Sequence, residues 1–417
     1  MERRKMGSDN TTASSKEETR RKHEFLIKVG LNLHRFGTPS HRLERVMTEV
    51  AALLEVEGTF LYTPTALVMA MGSKSDEVTY LRRVDSGAVD VDKLIRFDET
   101  LEHLEASEIT LEEASQAFDA IADAPPVYPS WVTMLACCVS CAAVAALFGG
   151  GLYEVMLSAA IGLLVSFVEI AHRRWNLERG ILEPLAGLVA SLAALATANF
   201  IVPIDDRLAT LAGLIILIPG LGITIGLTEL AVGHLSAGVA RLAGACVSLL
   251  TLTIGVAIGW RVAAAAWRDI PDTPTWPIDA GWQWLAMVVA PMTFAVVFRA
   301  RWAQWPVIVG VTVCGFLASR FAGSQFGSEV GAFFGALAVG ITSNIYARVR
   351  NRPALVPLTP GLIVLVPGSV GFRSLTAFVD HETIVGIDSA FTMLIVAAAL
   401  VGGILAANAL VPPKRVL

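Results

Sequence analysis

Apolar stretches long enough to cross a bilayer follow one another from Pro129 to the end of this chain. A helix needs about 20 apolar residues to cross the hydrocarbon core of a membrane. Ten stretches meet or approach this length: 131–148, 152–171, 181–200, 208–227, 235–260, 282–298, 305–319, 330–347, 354–372 and 384–410. The seventh is the shortest, and its length leaves open whether it crosses fully. We therefore predict a mainly α, polytopic helical membrane bundle of about ten spans, embedded in a lipid bilayer.

Charged residues divide the chain near residue 128. Of the first 128 residues, 39 are Asp, Glu, Lys or Arg, against 30 of the remaining 289. Only the first part carries enough charge to cover a surface that faces water, and three prolines between 124 and 129 discourage a helix across the boundary. We predict a cytosolic α+β domain over 1–128 and two membrane halves of five spans each, over 129–280 and 281–417.

The front domain contains several local signals for its elements. Its first helix should end at Gly37 in a left-handed cap, and Thr38 should cap the next helix, with Pro39 in its first turn. Stretches 59–71 and 77–84 are β-prone and predict a hairpin, and a capping box, Thr110 to Glu113, opens the last helix. A polar cluster surrounds the helix–helix turn, and we interpret it as capping and surface pairing, with an active site as the alternative: His34, Arg35, Ser40, His41, Arg42 and Glu44.

Basic residues predict the orientation of the spans. If the front domain is cytosolic, ten basic residues fall in inside loops: Arg173, Arg174, Arg179, Arg299, Arg301, Arg348, Arg350, Arg352, Lys414 and Arg415. Five fall in outside loops: Arg207, Arg261, Arg268, Arg320 and Arg373. The positive-inside rule then favours a multi-pass protein of the plasma (inner) membrane with both termini in the cytosol. The charged first residues lack the apolar region of a signal peptide.

An octapeptide at 213–220 recurs at 361–368. Six of its eight positions are identical, and each copy ends in Pro-Gly within the fourth span of its half. An odd number of spans per repeat inverts the halves relative to each other, as in many secondary transporters. Proline removes a helical hydrogen bond, and the freed backbone groups then need protein, water or solute as partners. A simple packed kink is the alternative to a pair of broken helices around a substrate.

Polar residues inside the spans complete the predicted site. The expected substrate-binding residues are Pro219, Gly220, Thr224, Pro367, Gly368, Asn199 and Asn344. The expected proton-coupling acids are Glu183, Asp388 and Glu229, because charges within spans are costly and usually functional. Bonds between helices are the competing interpretation for the asparagines, and solvated span ends for the acids. Paired glycines such as Gly255 and Gly259, or Gly331 and Gly335, predict close helix packing.

The sequence excludes several classes of function. It has no nucleotide-binding loop and no catalytic or metal-binding motif, so we expect neither an enzyme nor a cofactor, and transport would be driven by a gradient. A net charge of −5 without a basic stripe argues against nucleic acid. The expected partners are a small-molecule substrate and protons, and a homo-oligomeric state stays open. A membrane-anchored enzyme or sensor, acting through the front domain, is the rival interpretation.

Together these residues resemble the threonine/serine exporter family, in its fused two-module form. The motifs that carry the resemblance are Gly37-Thr-Pro-Ser-His-Arg-Leu-Glu44, Thr63-Pro-Thr65, Arg82-Arg-Val84, Gly149-Gly-Gly151 with Glu154, Pro219-Gly220 with Ser236-Ala-Gly238-Val-Ala-Arg241, and Arg352-Pro-Ala354 through Gly368. The resemblance implies proton-coupled export of threonine and serine, or of dicarboxylates as in some relatives. The chain departs from the family pattern with Thr224-Ile225, Thr228-Glu229 and Gly233-His234, which bears on the substrate.

Overall fold

The computed structural model of the protein describes residues 3–73, 75–85, 87–178, 180–267 and 278–413. Four of the basic residues used to predict orientation lie outside these ranges: Arg179, Arg268, Lys414 and Arg415.

The front domain packs four helices and a three-stranded sheet around one apolar core. Its elements are α1 (Arg3–Arg35), α2 (Ser40–Leu53), β1 (Gly58–Thr63), β2 (Ala66–Met71), β3 (Val78–Arg83), α3 (Val91–Glu105) and α4 (Leu111–Asp123). The strands form an antiparallel meander in the order β1-β2-β3. Phe97 and Phe118 stack at its centre with ring centroids 3.9 Å apart. The predicted α+β domain is present.

The predicted hairpin forms between β2 and β3, with Met71 opposite Val78, but its first stretch, 59–71, folds as two strands instead of one. The chain turns at Pro64-Thr65, so that Thr63 pairs with Ala66 and β1 lies antiparallel to β2. The Ala66 N–H donates to the Thr63 hydroxyl across this turn over 3.1 Å. Proline at position 64 has no N–H to give to a ladder, which ends the first strand there.

Two of the three predicted helix caps are confirmed. Gly37 has a φ of +80°, and the N–H of Thr38 reaches back to the Leu33 carbonyl over 3.1 Å. Thr110 and Glu113 form the reciprocal capping box. The third cap is wrong: Pro39 occupies the N-cap position, α2 begins at Ser40, and Thr38 makes no capping hydrogen bond.

Twelve α-helices follow the front domain in the residues that the structure describes, six in each half. The first half contains α5 (Ser130–Leu147), α6 (Leu152–Arg174), α7 (Leu182–Phe200), α8 (Asp206–Gly213), α9 (Gly220–Ala231) and α10 (Leu235–Ala266). The second contains α11 (Ala280–Val297), α12 (Trp305–Phe326), α13 (Ser328–Arg350), α14 (Leu355–Ile363), α15 (Gly368–Val379) and α16 (Thr383–Leu410).

Nine segments in the described part of the chain are long and apolar enough to cross a membrane. The predicted fourth span is absent from them, because it folds as two short helices, α8 and α9. The predicted seventh span continues to Phe326, beyond the Arg320 at which its apolar run ends. The protein is therefore a polytopic membrane protein.

The predicted glycine faces allow close helix packing. A Cβ added at Gly255 of α10 would lie 2.0 Å from the Pro184 carbonyl oxygen of α7. In the second half, a Cβ at Gly331 of α13 would lie 2.6 Å from the Ser319 carbonyl oxygen of α12. Helices α13 and α16 also pack on each other, as α7 and α10 do in the first half.

Candidate functional site

The two Pro-Gly breaks touch each other. Helix α9 begins at Gly220 and helix α15 at Gly368, each directly after a proline. A Cβ added at Gly220 would lie 3.1 Å from both Cα and N of Gly368, and one added at Gly368 would lie 2.9 Å from Cα of Gly220. Two backbones approach this closely only where neither residue has a side chain.

The two interrupted segments run in opposite directions. The C-terminal end of α9 and the N-terminal end of α14 both lie beside the front domain. On the far side, Arg207 near the start of α8 pairs with Asp380 just after α15 over 2.8 Å. Two helix N-termini, of α9 and α15, therefore converge on the contact between the breaks. Helix N-termini carry partial positive charge and favour an anionic group.

A small cavity lies against the breaks. Its volume is about 110 Å³. Its lining is mostly apolar: Val144, Leu147, Phe148, Ile215, Ile218, Phe294, Phe316, Ile363, Val364, Val366, Gly368 and Ser369. Among these, Gly368 and Ser369 belong to the first turn of α15, so this helix start faces the cavity.

A larger cavity, which we call the vestibule, separates the front domain from the membrane helices. Its volume is about 430 Å³. The front domain contributes Pro39, His41, Arg42 and Arg45, and α9 contributes Leu221, Thr224, Ile225 and Thr228. The remaining lining residues are Val232, His234, Leu355, Leu358, Thr359, Leu362, Ile404, Leu405, Asn408, Pro412 and Pro413. Helix α9 thus connects the vestibule to the breaks.

Glu229 joins the front domain to the first membrane half. Its side chain is fully buried, and its carboxylate accepts two hydrogen bonds from Arg241, over 3.0 and 3.1 Å. It also accepts the backbone N–H of Ser40, over 2.9 Å, at the start of α2. Ordinarily a helix caps its own first N–H groups. Here a carboxylate from the membrane domain does so.

Histidines lie on both sides of the same interface. The His234 ring lies 3.3 Å from the Glu44 carboxylate, which also accepts the Tyr62 N–H over 3.1 Å. The centroids of the His41 and His234 rings are 6.2 Å apart. Burial, reinforced by the neighbouring Arg42 guanidinium, lowers the pKa of His41 to about 3, so this ring is neutral at physiological pH.

Helix α3 docks on the second membrane half through a row of ion pairs. Asp90 pairs with Arg299 over 2.8 Å, and Asp92 with Arg301 over 2.6 Å. Glu99 pairs with Arg352 farther along the helix. Both aspartates are buried, so these contacts are part of a packed interface. The front domain therefore contacts both membrane halves.

Comparison with known proteins decides the family. The ThrE family model, described as a threonine/serine exporter, matches residues 24–263, and its companion, described as threonine/serine exporter, ThrE, matches residues 283–410. The chain belongs to the threonine/serine exporter family. The matches cover the front domain and both membrane halves of this exporter-family protein. No solved structure matches it.

Several curated relatives of this exporter-family chain are fungal membrane proteins. Pheromone-regulated membrane protein 10 of Eremothecium gossypii is 27% identical over 85% of the chain and 49% of its own length. The protein of the same name in Kluyveromyces lactis is 26% identical over 87% of the chain and 40% of its own length. The chain thus spans half or less of the length of these relatives.

The structure brings some predicted site residues of the exporter-family protein together and separates others. Pro219, Gly220, Pro367 and Gly368 meet at the breaks, as described above. Thr224 is buried one turn into α9, lines the vestibule, and donates its hydroxyl to the Gly220 carbonyl over 3.1 Å.

The remaining predicted residues lie elsewhere. Asn344 donates to the Asn408 side chain over 2.9 Å and to the Val411 carbonyl over 2.8 Å. The first of these bonds joins α13 to α16, as the competing interpretation of the asparagines expects. Asn199 lies at the C-terminal end of α7. Glu183, in the first turn of α7, accepts the Ser248 hydroxyl over 3.2 Å, and Asp388 is exposed near the start of α16.

Sequence reasoning missed the role of the polar cluster around residues 34–44. It contacts the membrane domain, whereas surface pairing was expected. A signal was present, because Glu229 and Arg241 are opposite charges close to the ends of neighbouring apolar runs and need partners when buried. Nothing in the sequence named Ser40 as the third partner.

Proposed function

We propose that the protein is a secondary active exporter of small polar metabolites, of the threonine/serine type, coupled to protons. One observation carries this proposal: two interrupted helices, one from each half and running in opposite directions, touch at their Pro-Gly breaks. Such paired breaks are how many secondary transporters hold a solute at mid-membrane. Membership of an exporter family supports the same conclusion.

The ends of the short helices suit the two charges of an amino acid. The N-termini of α9 and α15 offer N–H groups and partial positive charge to a carboxylate. The C-termini of α8 and α14 offer carbonyl oxygens to an ammonium group. We propose that Pro219, Gly220, Pro367 and Gly368 create this opening, and that Thr224 lines the route to it.

We propose that a carboxylate among Glu229, Glu183 and Asp388 couples transport to protons. Glu229 is the strongest of the three, because it lies at the end of the broken helix and is buried between two domains. Protonation would weaken its ion pair with Arg241 and its hold on α2. Glu183 and Asp388 lie farther from this route.

The arrangement of the helices also supports an inverted repeat and a cytosolic front domain. Equivalent helices of the two halves make equivalent contacts with the opposite half: α9 packs on α16, as α15 packs on α10. The basic loops at Arg299, Arg301 and Arg352 meet the acidic face of α3, and such loops are enriched on the cytosolic side.

Export of small dicarboxylates is the second candidate, and the charge of the vestibule favours it. Arg42 and Arg45 line this cavity, and no Asp or Glu appears among its described lining residues. A lining of this sign suits a solute that carries more negative than positive charge. The vestibule lies between the front domain and the membrane helices, which favours transport over a separate activity of the front domain.

Transport by proteoliposomes tests these proposals. Vesicles that contain the purified full chain would be loaded with labelled threonine, serine or succinate, and an inward proton gradient imposed. We expect efflux of one of these solutes to rise with the gradient and to lose this dependence in Glu229→Gln. Efflux equal to that of protein-free vesicles for all three solutes would contradict the exporter proposal. Unchanged proton dependence in Glu229→Gln, Glu183→Gln and Asp388→Asn would remove all three acids as coupling groups.

A further inference from the structure

We propose that the small cavity against the breaks receives the side chain of the solute, and that Phe316 and Ser369 determine which side chains it accepts. The inference rests on the proposed export function and narrows the solute class. It assigns amino acids with a short, uncharged side chain, and it excludes small dicarboxylates from this cavity.

The cavity is shared by the two membrane halves. Ile218 and Val366 precede the prolines of the two breaks at equivalent positions of the repeat, and both line the cavity. A Cβ added at Gly368 would lie 2.6 Å from the Ile218 side chain, and one added at Gly220 would lie 2.8 Å from a methyl group of the other. Each of these side chains thus covers the glycine of the opposite break. A solute held by the backbone at the breaks therefore has this cavity beside it.

The volume of the cavity suits a side chain better than a whole solute. A water molecule occupies about 30 Å³ in the liquid, so a cavity of about 110 Å³ has room for roughly three or four non-hydrogen atoms. The side chains of serine, threonine and valine are within this size, whereas the aromatic ring of phenylalanine exceeds it. The carboxylate and the ammonium group of the solute would then stay at the helix ends beside the cavity.

The lining of the cavity opposes a second charge on the solute. None of its described lining residues is charged. Arg373 is exposed, and its guanidinium lies 5.7 Å from the centroid of the Phe148 ring, but Arg373 does not itself line the cavity. A carboxylate that enters an apolar site without a cation to pair with loses its hydration without compensation. Small dicarboxylates are therefore disfavoured at the breaks, even though the basic vestibule would admit them.

Ser369 carries the one side-chain hydroxyl among the described lining residues. It follows Gly368 in the first turn of α15, and its side chain has no hydrogen bond within the part of the chain that the structure describes. The equivalent residue of the first half is Leu221, which lines the vestibule instead. A hydroxyl with a free proton and free lone pairs can bond to a hydroxyl of the solute. It therefore favours threonine over valine, which has nearly the same shape but no hydroxyl.

Phe316 limits the size of the group that can enter. It lies on α12 and is half-buried, whereas Phe294, which lines the cavity from α11, is buried. Helix α6, the equivalent of α12 in the first half, provides none of the described lining residues, so this wall belongs to the second half alone. Truncation of Phe316 would enlarge the cavity and should cost less stability than truncation of the buried Phe294.

Relative transport of a small and a large amino acid tests the role of Phe316. Proteoliposomes would be loaded with labelled threonine or phenylalanine, and kcat/KM for efflux compared in the wild type, Phe316→Ala and Phe321→Ala. We expect the ratio of phenylalanine to threonine to rise about tenfold or more in Phe316→Ala, because even one methylene group in an apolar pocket changes kcat/KM by about that much. Phe321→Ala makes the same change at an exposed position of the same helix, outside the cavity lining, and should keep the wild-type ratio. Equal ratios in all three proteins would overturn the role of Phe316.

Threonine and valine together test the hydroxyl of Ser369. We expect the wild type to prefer threonine by about tenfold in kcat/KM, which is the upper end of the value of one hydrogen bond, and Ser369→Ala to lose this preference. Ser324→Ala removes an exposed hydroxyl from α12 and should keep the preference. A wild-type preference in Ser369→Ala would overturn the role of Ser369.

Binding measurements separate failure of this inference from failure of the export proposal. Equilibrium binding of labelled threonine and valine to the full chain in detergent does not require transport. Threonine binding that weakens in Ser369→Ala, with unchanged binding of valine, would uphold the inference even if no efflux occurred. No binding of threonine to the wild type would overturn it.

Succinate provides the opposite control. Efflux of succinate with a kcat/KM equal to or above that of threonine would overturn the inference and leave the exporter proposal intact. Thermal unfolding in detergent shows whether the variants fold. Ser369→Ala removes a single oxygen atom and should fold even if Phe316→Ala does not.

Discussion

At Gly220 and Gly368, the addition of one methyl group would push the two membrane halves apart. A Cβ at Gly220 would lie 2.8 Å from the Val366 side chain as well as 3.1 Å from the backbone of Gly368. Backbone cannot rotate out of the way as a flexible side chain can. The two breaks can therefore lie this close only because neither glycine has a side chain.

Alanine at position 220 should strongly reduce the rate of transport, and alanine at position 222 should not. The neighbouring helix start would have to move in Gly220→Ala, and a misplacement of about 1 Å at a reacting site can cost about a hundredfold in rate. Gly222→Ala is the matched control, because its Cβ would meet only Ala245, at 3.6 Å. The measurement is initial efflux from proteoliposomes, with thermal unfolding in detergent to confirm folding. Equal rates in the two variants would contradict the close contact.

His41 should make the stability of the protein depend on pH. The pKa of its buried ring is lowered to about 3, whereas the unfolded chain has a pKa near 6.5. Between these values the unfolded chain binds more protons, so the stability contributed by neutral His41 is complete above pH 6.5 and decreases as the pH falls. We expect the midpoint of thermal unfolding to fall from pH 7 to pH 4, and to fall less steeply in His41→Gln. Parallel curves for the two proteins would show that His41 is not buried as described.

At the scale of elements, the start of α2 has a cap that belongs to another domain. Pro39 cannot cap the helix through its side chain, and the N–H of Ser40 donates to Glu229. This carboxylate therefore lies between the N-terminal end of α2 and the Arg241 guanidinium. The position of the front domain is thereby linked to the end of the broken helix α9.

Removal of Arg241 should destabilise the protein more than removal of both partners. Arg241→Gln would leave the carboxylate of Glu229 buried without its counter-ion, which costs about 3 kcal/mol in comparable pairs. The double variant Glu229→Gln/Arg241→Gln leaves no uncompensated charge and should recover part of the loss. Thermal unfolding of the two single variants and the double variant checks this. Strictly additive losses would mean that the two side chains do not interact.

Sequence patterns predicted an element correctly where its local sequence preference and its tertiary contacts favour the same structure. The apolar runs became helices, and the caps at Gly37 and Thr110 form as expected, because each depends on residues within one turn. The cap at Thr38 did not, because the N–H of Ser40 donates to Glu229, which lies 189 residues farther along the chain. Sequence alone also could not show that the two Pro-Gly breaks touch, since this depends on how the halves pack.

At the scale of the whole molecule, the front domain bridges the two membrane halves on one face. Helix α2 holds the first half through Glu229, and α3 holds the second through Arg299 and Arg301. Any relative movement of the halves must therefore strain or release one of these contacts. Two of the predicted acids, Glu183 and Asp388, lie outside this arrangement. The sequence could not show this, because an apolar run alone does not indicate which way a side chain faces.

Labelling with a membrane-impermeant maleimide should establish which face is cytosolic. In a background without native cysteines, Glu382→Cys lies on the face away from the front domain and should react in intact cells. Glu112→Cys in α4 is also at an exposed position and should react only after the membrane is permeabilised. The reverse pattern would place the front domain outside the cell.

The contact between the two helix starts also bears on how the protein is made. The Pro-Gly break of each half packs against the break of the other half. The half that enters the bilayer first therefore lacks the partner of its break. Until the second half arrives, lipid or a chaperone must shield its open backbone, at a cost of several kcal/mol per unpaired group. Two separately expressed halves would then each be short-lived alone and would protect one another from degradation when made together.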